Sequence, residues 1–531
     1  MKTESACDVV ILGGGLAGLT LARQLLLDTD QTVLLLERRS SLPPAKQKVG
    51  ESTVQLGGYY LSRVLELEEH LLREHFLKYN LRFYWPTAGR ANRGIEDFSQ
   101  SYIRDLSNVA SYQVDRNVLE GELLRLCLEN PRFSLALGVA GVEVDLGVGE
   151  AAHTVRYQLG DLPRSASSRW VVDATGRNKV LAKRRGLEKA NEVRHGTFFW
   201  WVDGLLDVGA LSELPRQQRR VSKSRRQLGH MPLWLATNHF VGEGFWFWVI
   251  PLHGKTSLGL VYDRAVINFE DVNSVAKATA WISERFPLFA ADLAQRPVVG
   301  FGGFKDYSYD CAQTIDPGRW ALTGEAGRFS DPLYSPGSDL IAIHNTLIVD
   351  AIKTRDRDEL RAKALMAEQI ERAVYGAYLP SYAKSYDCLG DPEAYSLKYV
   401  WELAVYFVFY VFPFINDLFT DRRFAASHLR AFAKLGPWNR GLQTVFSGYY
   451  RWRKEHVGLP TEPIYFDFLS VEPLARARGT FFNVGVDTEE ARQVLSAQLT
   501  NLEELARFLV ARIASVVLDE PAVIHDGDFV A

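Results

Sequence analysis

Cysteine is scarce in this chain. The four present among 531 residues, Cys7, Cys127, Cys311 and Cys388, lie far apart and show no metal-ligand spacing. That excludes a disulfide scaffold and fits buried thiols in a reducing compartment, so a cytoplasmic location is expected. An excess of charge of one sign is also missing. The formal net charge is -3 and the sequence pI near 6.4, which removes nucleic acid as a bulk electrostatic partner. One basic cluster stands apart, "RQQRRVSKSRR" from Arg216 to Arg226; it reads either as a solvated face or as a surface for an acidic partner such as a carrier protein. No internal repeat, nucleic-acid motif or metal-ligand constellation is present, so no metal is expected. The start, "MKTESACDVVILGGG", lacks a basic, apolar and small-residue cleavage sequence ahead of its first strand, so export is not expected. Long apolar runs are few. The longest, "YVWELAVYFVFYVFPFIND" from Tyr399 to Asp417, carries Glu402 and Pro413, and its uninterrupted part falls short of the roughly 20 residues of a spanning helix. It reads as a buried or ligand-lining helix, with a membrane-facing surface as the alternative.

What the chain does have is length and aromatic residues. A chain of 531 residues can bury large cores in two or three lobes. Its 29 Phe, 22 Tyr and 12 Trp either pack its cores or surround a flat apolar ligand.

The first organised stretch, "CDVVILGGGLAGLTLARQLL", reads as strand, glycine turn and helix. Gly13, Gly15 and Gly18 form G-x-G-x-x-G: absent side chains let the turn form, let a pyrophosphate approach, and let helix pack on strand. The phosphates then meet helix N–H groups. A second apolar run, "QTVLLLE", ends in Glu37, 22 residues after Gly15, where a carboxylate accepts ribose hydroxyls. Together these read as dinucleotide binding. The acid does not decide between NAD and FAD. "KVGEST" (48–53), "RWVVDATGRNKV" (169–180) and "GRWALTGEAGRFSDPLYSPG" (318–337) add further strand-to-turn crossings, which build one nucleotide site from remote segments and which a simple dehydrogenase fold does not need.

In this combination the chain resembles the flavin-dependent halogenases and, more distantly, the aromatic hydroxylases. "GGGLAG", "GEST", "YQVDR" (112–116), "DATGR", "FWFWVIP" (245–251) and "DPLYSPG" occur in order over residues 7 to 350. The resemblance implies an α/β fold: a Rossmann-like FAD-binding lobe (1–195 with 300–355), an inserted mostly β substrate lobe (196–299), and a helical C-terminal region (356–531) covering the substrate cavity. It places the FAD adenosine end near Gly13, Gly15, Gly18, Glu37 and Arg38. Glu51, Ser52, Arg116, Glu325, Asp331, Gly337 and Ser338 fall to the rest of the cofactor. Gly324-Glu325 stands where many relatives have Gly-Asp, which adds one methylene to a ribityl contact.

The signature W-x-W-x-I-P is present as Trp246, Trp248, Ile250 and Pro251. Strand alternation sets Trp246, Trp248 and Ile250 on one side and Phe247 and Val249 on the other, either walling a cavity beside the flavin or filling a two-sided core. "KYNLRFYW" resembles the family's K-x-G-x-x-F-x-W, with the lysine that meets hypohalous acid falling at Lys78; Asn80 replaces the usual glycine. The alternative is an exposed helix lysine. His230 and His239 flank "MPLWLATN", and His239 is a candidate acid or base.

In the relatives the turn at 335–337 reads serine, threonine, glycine, and halide lies near the last two backbone N–H groups. Pro336 has no N–H, so one donor is missing, although proline is ordinary in a first helical turn. Tyr334 stands where tryptophan-specific halogenases have glutamate, which turns the resemblance towards the branch acting on phenols, pyrroles or carrier-bound acyl groups. The expectation is therefore an FAD-dependent oxidoreductase of specialised metabolism, a monooxygenase or oxidase of an aromatic or acyl substrate, with a halogenase as the alternative and a non-catalytic flavoprotein as a third. Implied partners are molecular oxygen, a separate flavin reductase, a substrate free or bound to a carrier protein, and a second copy of the chain. Beyond Asp350 "DRDELRAKALMAEQIERAVYGAYL" has helical periodicity, and "EEARQVLSAQLTNLEELARFLVARIASVV" (489–517) reads as two helices.

Overall fold

The structure, a computed structural model, describes residues 4–219, 229 and 231–523. His230 and the part of the basic cluster beyond Arg219 lie outside the described residues.

Near-continuous apolar runs make the strands Glu4–Leu12, Val33–Glu37 and the end of Leu162–Asp173, the pattern of parallel strands covered on both faces. They form the centre of an eight-stranded sheet. Its order runs Ile315–Asp316, Trp320–Leu322, Leu162–Asp173, Glu4–Leu12, Val33–Glu37, Phe133–Leu137, with Val139–Asp145 and His153–Leu159 folded onto Leu162–Asp173 as an antiparallel flap. The helices Leu16–Asp28 and Pro336–Lys353 pack over one face of it. Val139, Val144 and Val155 of the flap cover the other.

The second sheet also has eight strands: Val298–Phe304, His195–Asp203, Lys255–Asp263, Phe245–Leu252, Thr237–Gly242, Leu81–Pro86, Phe98–Ser101 and Tyr465–Phe466. It is not confined to 196–299. Two of its strands come from residues 81–101 and one from the C-terminal region, and the joins to Leu81–Pro86 and to Tyr465–Phe466 are parallel. The substrate sheet is thus stitched into both other parts of the chain.

The helical region contains Arg357–Ala383, Pro392–Tyr406, Arg422–His456 and Thr488–Leu518. The run Pro392–Ile415 is long and apolar enough to cross a membrane, yet 89% of its most apolar stretch is buried inside the protein. Pro413 leaves a mark on it. Proline lacks the N–H that the Phe409 carbonyl needs, and the backbone widens to a π-turn over Phe407–Val411; the freed carbonyl takes a 2.9 Å hydrogen bond from His428 Nε2 instead. The expected pair of helices near the C-terminus is a single one, Thr488–Leu518. Asn501, at its middle, leaves the backbone ladder intact because its amide reaches sideways, donating to the Pro473 carbonyl at 2.8 Å and accepting from Arg476 Nε at 2.7 Å.

Candidate active site

The glycine turn follows the end of the first strand. Gly13 has φ +104°, and a Cβ there would lie 2.5 Å from the Ala174 carbonyl oxygen of "DATGR". A Cβ on Gly18 would come within 2.0 Å of the Gly13 oxygen, so helix meets strand only through glycine; beside Gly15 nothing lies within 4 Å. This is the cradle that G-x-G-x-x-G predicts, with its open side at Gly15. Glu37 is buried, and each of its carboxylate oxygens accepts one backbone N–H, from Gly14 and Arg39, both at 2.8 Å. Each oxygen keeps a lone pair for a ribose hydroxyl. Arg38, next to it, is exposed.

From this turn a cavity of about 200 Å³ opens between the sheets. Leu16, Glu51, Ser52, Arg116, Glu325, Gly337 and Ser338 line it, as do Trp246, Trp248 and His239. Among the described residues, three polar atoms of its lining side chains are buried without partners, Arg116 Nε, Thr197 Oγ1 and Ser338 Oγ, as expected of groups that await a polar ligand. The other guanidinium nitrogens of Arg116 are held by the Val49 carbonyl at 3.0 Å and Glu120 at 2.6 Å. Glu51 is held by Trp201 Nε1 and by Ser257 Oγ at 3.3 Å, and burial pushes its carboxyl up to about 7. Burial also raises Glu325.

Tyr334 and Ser335 both take the left-handed conformation, φ 70° and 58°, and Pro336 then begins the helix Pro336–Lys353. Two such non-glycine residues in succession store roughly 1–3 kcal/mol each. The turn they make places Gly337 and Ser338, residues of the first helical turn, in the cavity wall, with the N-terminal dipole favouring a negative ligand group. Pro336 costs this helix nothing, since a first-turn N–H has no intrahelical partner.

Asp331 departs from its expected role. Its carboxylate is wholly buried and turned away from the cavity: His195 Nδ1 at 2.6 Å and Tyr307 OH at 2.7 Å meet Oδ2, and the Leu333 N–H at 2.9 Å meets Oδ1. Tyr386, whose hydroxyl lies 3.4 Å from Asp331 Oδ1, accepts the Trp246 indole N–H. Asp331 therefore meets the cavity through other side chains, Tyr307 in its wall and Tyr386 behind Trp246.

The alternation of "FWFWVIP" is realised. Trp246, Trp248 and Ile250 face the cavity, whereas Phe247 and Val249 pack in a separate core under the helix Val275–Arg285. Trp248 lies flat on Gly259, where a Cβ would come within 2.2 Å of the indole.

A second cavity, about 250 Å³, lies beyond the segment 52–55. The helical region closes it with Tyr378, Tyr399, Tyr406 and Tyr410, and Lys78 stands in its wall. The lysine is 3% exposed and belongs to no helix; Nζ donates to Ser52 Oγ at 2.9 Å and to the Thr53 carbonyl. Since Ser52 and Thr53 line the first cavity, the Lys78 ammonium bridges the partition between the two. Burial pushes Lys78 down to about 7. Asn80 has φ 80°, a conformation that glycine adopts freely and asparagine tolerates, so the substitution keeps the local turn. His239 stacks on Phe83 at 4.6 Å and donates from Nδ1 to the Arg82 carbonyl at 3.0 Å, and burial lowers it to about 3. It is a neutral imidazole that can accept a proton-bearing group through Nε2 but has no proton to give from there.

Two acidic groups escaped the sequence reading. Asp339, the residue after Ser338, is fully buried, and Glu402 lines the second cavity, taking the Tyr334 hydroxyl at 2.7 Å, Gln443 Nε2 at 3.1 Å and the buried Lys398. Adjacency to the turn was a signal for Asp339; for Glu402 there was only its isolation in an apolar run.

No family model matches the chain. Among curated sequences it is 24% identical over 367 residues to the flavin-dependent halogenase chlA of Dictyostelium discoideum, covering 65% of this chain and 60% of that protein. It is 26% identical over 373 residues to the 1H-pyrrole-2-carbonyl-(peptidyl-carrier protein) chlorinase of Pseudomonas fluorescens, covering 66% and 77%. Among solved structures, halogenase PltM in complex with phloroglucinol and FAD superposes over 94% of this chain and 96% of its own with a TM-score of 0.63 at 15% identity. The myxobacterial chondrochloren halogenase CndH gives 0.56 at 22% identity, over 72% and 83%. The fold is theirs, over nearly the whole chain, and the sequence relatives, matched over about two thirds of it, are flavin-dependent halogenases.

Proposed function

We propose that the protein is an FAD-dependent halogenase of a small aromatic substrate. This replaces the monooxygenase or oxidase that the missing donor at Pro336 suggested, because the relatives in sequence and structure are halogenases. The observation that carries the reading is the placement of Lys78 in the partition between the cavity beside the glycine turn and an aromatic one.

FAD fits the first cavity: the open side at Gly15, the unpartnered Arg116 Nε and Ser338 Oγ and the amides of Gly337 and Ser338 suit a diphosphate-linked, hydrogen-bonding cofactor. Reduced FAD supplies the electrons with which oxygen is turned into an oxidant for halide. The chain does the rest. Gly337 and Ser338 offer backbone donors to an anion without the help of residue 336. Trp246, Trp248 and Ile250 exclude water on the cofactor side. Direct contact between substrate and cofactor is barred by the 52–55 segment, so the oxidised halogen must pass Lys78. The ammonium hydrogen-bonds hypohalous acid, and the second cavity holds the ring carbon beside it, a gain through positioning. Its tyrosine-rich, mostly apolar wall suits an aromatic ring, either free or delivered on a carrier arm. Reduced FAD from a separate reductase completes the scheme.

The test is turnover with FAD, a flavin reductase, NADH, oxygen and bromide against a panel of phenols and pyrroles, read by mass spectrometry. A bromine isotope doublet in the product is the expected result; a product gaining only oxygen, at equal rate with and without bromide, overturns the reading in favour of a monooxygenase.

A further inference from the structure

A buried ammonium needs a counter-charge as well as hydrogen bonds. The two acceptors of the Lys78 ammonium, Ser52 Oγ and the Thr53 carbonyl, are neutral. The groups that surround this partition can be taken element by element. The strand Thr237–Gly242 presents His239, held neutral by burial. The helices above present Tyr378, Tyr406 and Tyr410, phenols that burial keeps protonated. Glu402 is already engaged by Lys398, Gln443 and Tyr334. Asp105, in the wall of the second cavity, is exposed and pairs with Arg478 at 3.1 Å, and Glu51, beside Ser52, is held by Trp201 and Ser257. There remains Asp339 on the helix Pro336–Lys353. It is 0% exposed; Oδ1 accepts the Gly57 N–H at 2.8 Å, and Oδ2 has no hydrogen-bond partner within 3.5 Å among the described residues, the Tyr406 hydroxyl lying nearby.

Gly57 explains how the carboxylate comes so deep. A Cβ there would lie 2.3 Å from Ser338 Oγ and 3.0 Å from Asp339 Oδ1, so only glycine admits the first turn of that helix. The short segment 52–57 therefore carries the Lys78 ammonium at one end and the Asp339 carboxylate at the other.

We propose that Asp339 is the counter-charge of Lys78, a positioning residue that keeps the ammonium charged and aimed at the partition between the two cavities. The electrostatics run in the same direction. Burial pushes Lys78 down to about 7 and the Asp339 field opposes the fall; burial raises Asp339 to about 7 and the Gly57 N–H, the Tyr406 hydroxyl and the Lys78 field oppose the rise. With one proton between them the two groups sum to zero charge whichever holds it.

The test is a double-mutant cycle on the cofactor-free protein, Lys78→Met, Asp339→Asn and both together, read by urea unfolding at pH 7 and pH 5. Asparagine still offers Gly57 an acceptor, so the backbone contact survives. At pH 7, where the Lys78 ammonium and the Asp339 carboxylate coexist to the greatest extent, the double variant is expected to be about tenfold less destabilised in its unfolding equilibrium than the sum of the singles. At pH 5 the coupling shrinks, because Asp339 is protonated. Additive effects at both pH values overturn the pairing. Should a variant fail to fold, the pH profile of turnover in Asp339→Glu and Asp339→Asn decides: loss of the carboxylate moves the Lys78 limb at least one pH unit lower and glutamate restores it, whereas unmoved limbs overturn the pairing. The catalytic consequence rests on the halogenase reading but the pairing does not. A coupled cycle in a protein that never halogenates refutes that reading alone; an additive cycle in an active halogenase refutes the pairing alone.

Discussion

The three glycines of the first turn should respond to alanine in different ways. In Gly18→Ala the new methyl carbon would sit 2.0 Å from the Gly13 carbonyl oxygen and 3.3 Å from Ala174 Cβ. An acceptable contact needs more than 1 Å of movement between the helix Leu16–Asp28 and the first strand, in a core where Val9, Ile11, Leu19 and Ala22 are buried. Overpacking of this kind costs about 1–3 kcal/mol and more where backbone opposes backbone, so a loss of about 3 kcal/mol is expected in the cofactor-free protein. Gly15→Ala meets nothing within 4 Å at an ordinary φ of -90°. Its stability should change by less than about 1 kcal/mol, the small preference for glycine over alanine at a helix N-cap. If the open space beside Gly15 is where the pyrophosphate lies, this methyl group should instead weaken FAD by tenfold or more, about 1.4 kcal/mol. Urea unfolding of the cofactor-free variants and fluorescence titration with FAD read the two quantities separately. A folded Gly15→Ala protein that binds FAD as tightly as the parent, or one as destabilised as Gly18→Ala, refutes the assignment of the turn.

Three further outcomes follow from the site. Lys78→Met should retain FAD affinity while bromination falls by about a hundredfold or more, the usual scale for a positioned group in proton and halogen transfer; retained bromination removes Lys78 from the path. Pro336→Thr returns a backbone N–H to the turn and should lower the KM for bromide at little change in stability, within about 1 kcal/mol; an unchanged KM means that Gly337 and Ser338 already suffice. Glu51 has a folded pKa raised to about 7 from an unfolded value of 4.5, so the folded protein keeps a proton that the unfolded chain has released. Its share of stability is present below pH 4.5 and is lost as pH rises through 7, on the order of 3 kcal/mol. Glu51→Gln should flatten the stability profile between pH 4.5 and 7, measured by urea unfolding without cofactor; an identical slope in both proteins contradicts a buried, protonated Glu51.

What could be read from the sequence was what local backbone geometry dictates. G-x-G-x-x-G needs glycine for contacts between residues 13, 18 and 174, and the strand alternation of 245–251 sorts its own side chains between cavity and core. The same limit applies to Asn80, a residue whose positive φ keeps the glycine-like turn. What could not be read was which distant groups a side chain meets. Lys78 looked equally well like an exposed helix residue until Ser52 and Thr53, 26 and 25 residues earlier, came to its Nζ. Asp331 lay in the motif yet is engaged by His195, 136 residues upstream, so its motif position and its contacts point to different tasks. The substrate sheet follows the same logic: strands Leu81–Pro86 and Tyr465–Phe466 join it by parallel pairing over long separations, and such pairings leave no local signal.

Pro336 bears differently on the fold and on the proposed function. Its missing N–H is a fact of its chemistry, and the structure places it at the first position of a helix, where that N–H has no intrahelical partner. The next two amides, at Gly337 and Ser338, belong to residues that line the cavity. A turn that sets two left-handed residues ahead of a proline has a nearly fixed path, so these donors are oriented before any ligand arrives. Loss of one donor is then offset in part by less disorder in the rest, and an anion site with fewer but better-held amides is compatible with the halide chemistry of the family. The bromide KM of Pro336→Thr measures the size of that offset: the closer it stays to the parent value, the more of the missing donor the rigid turn has replaced.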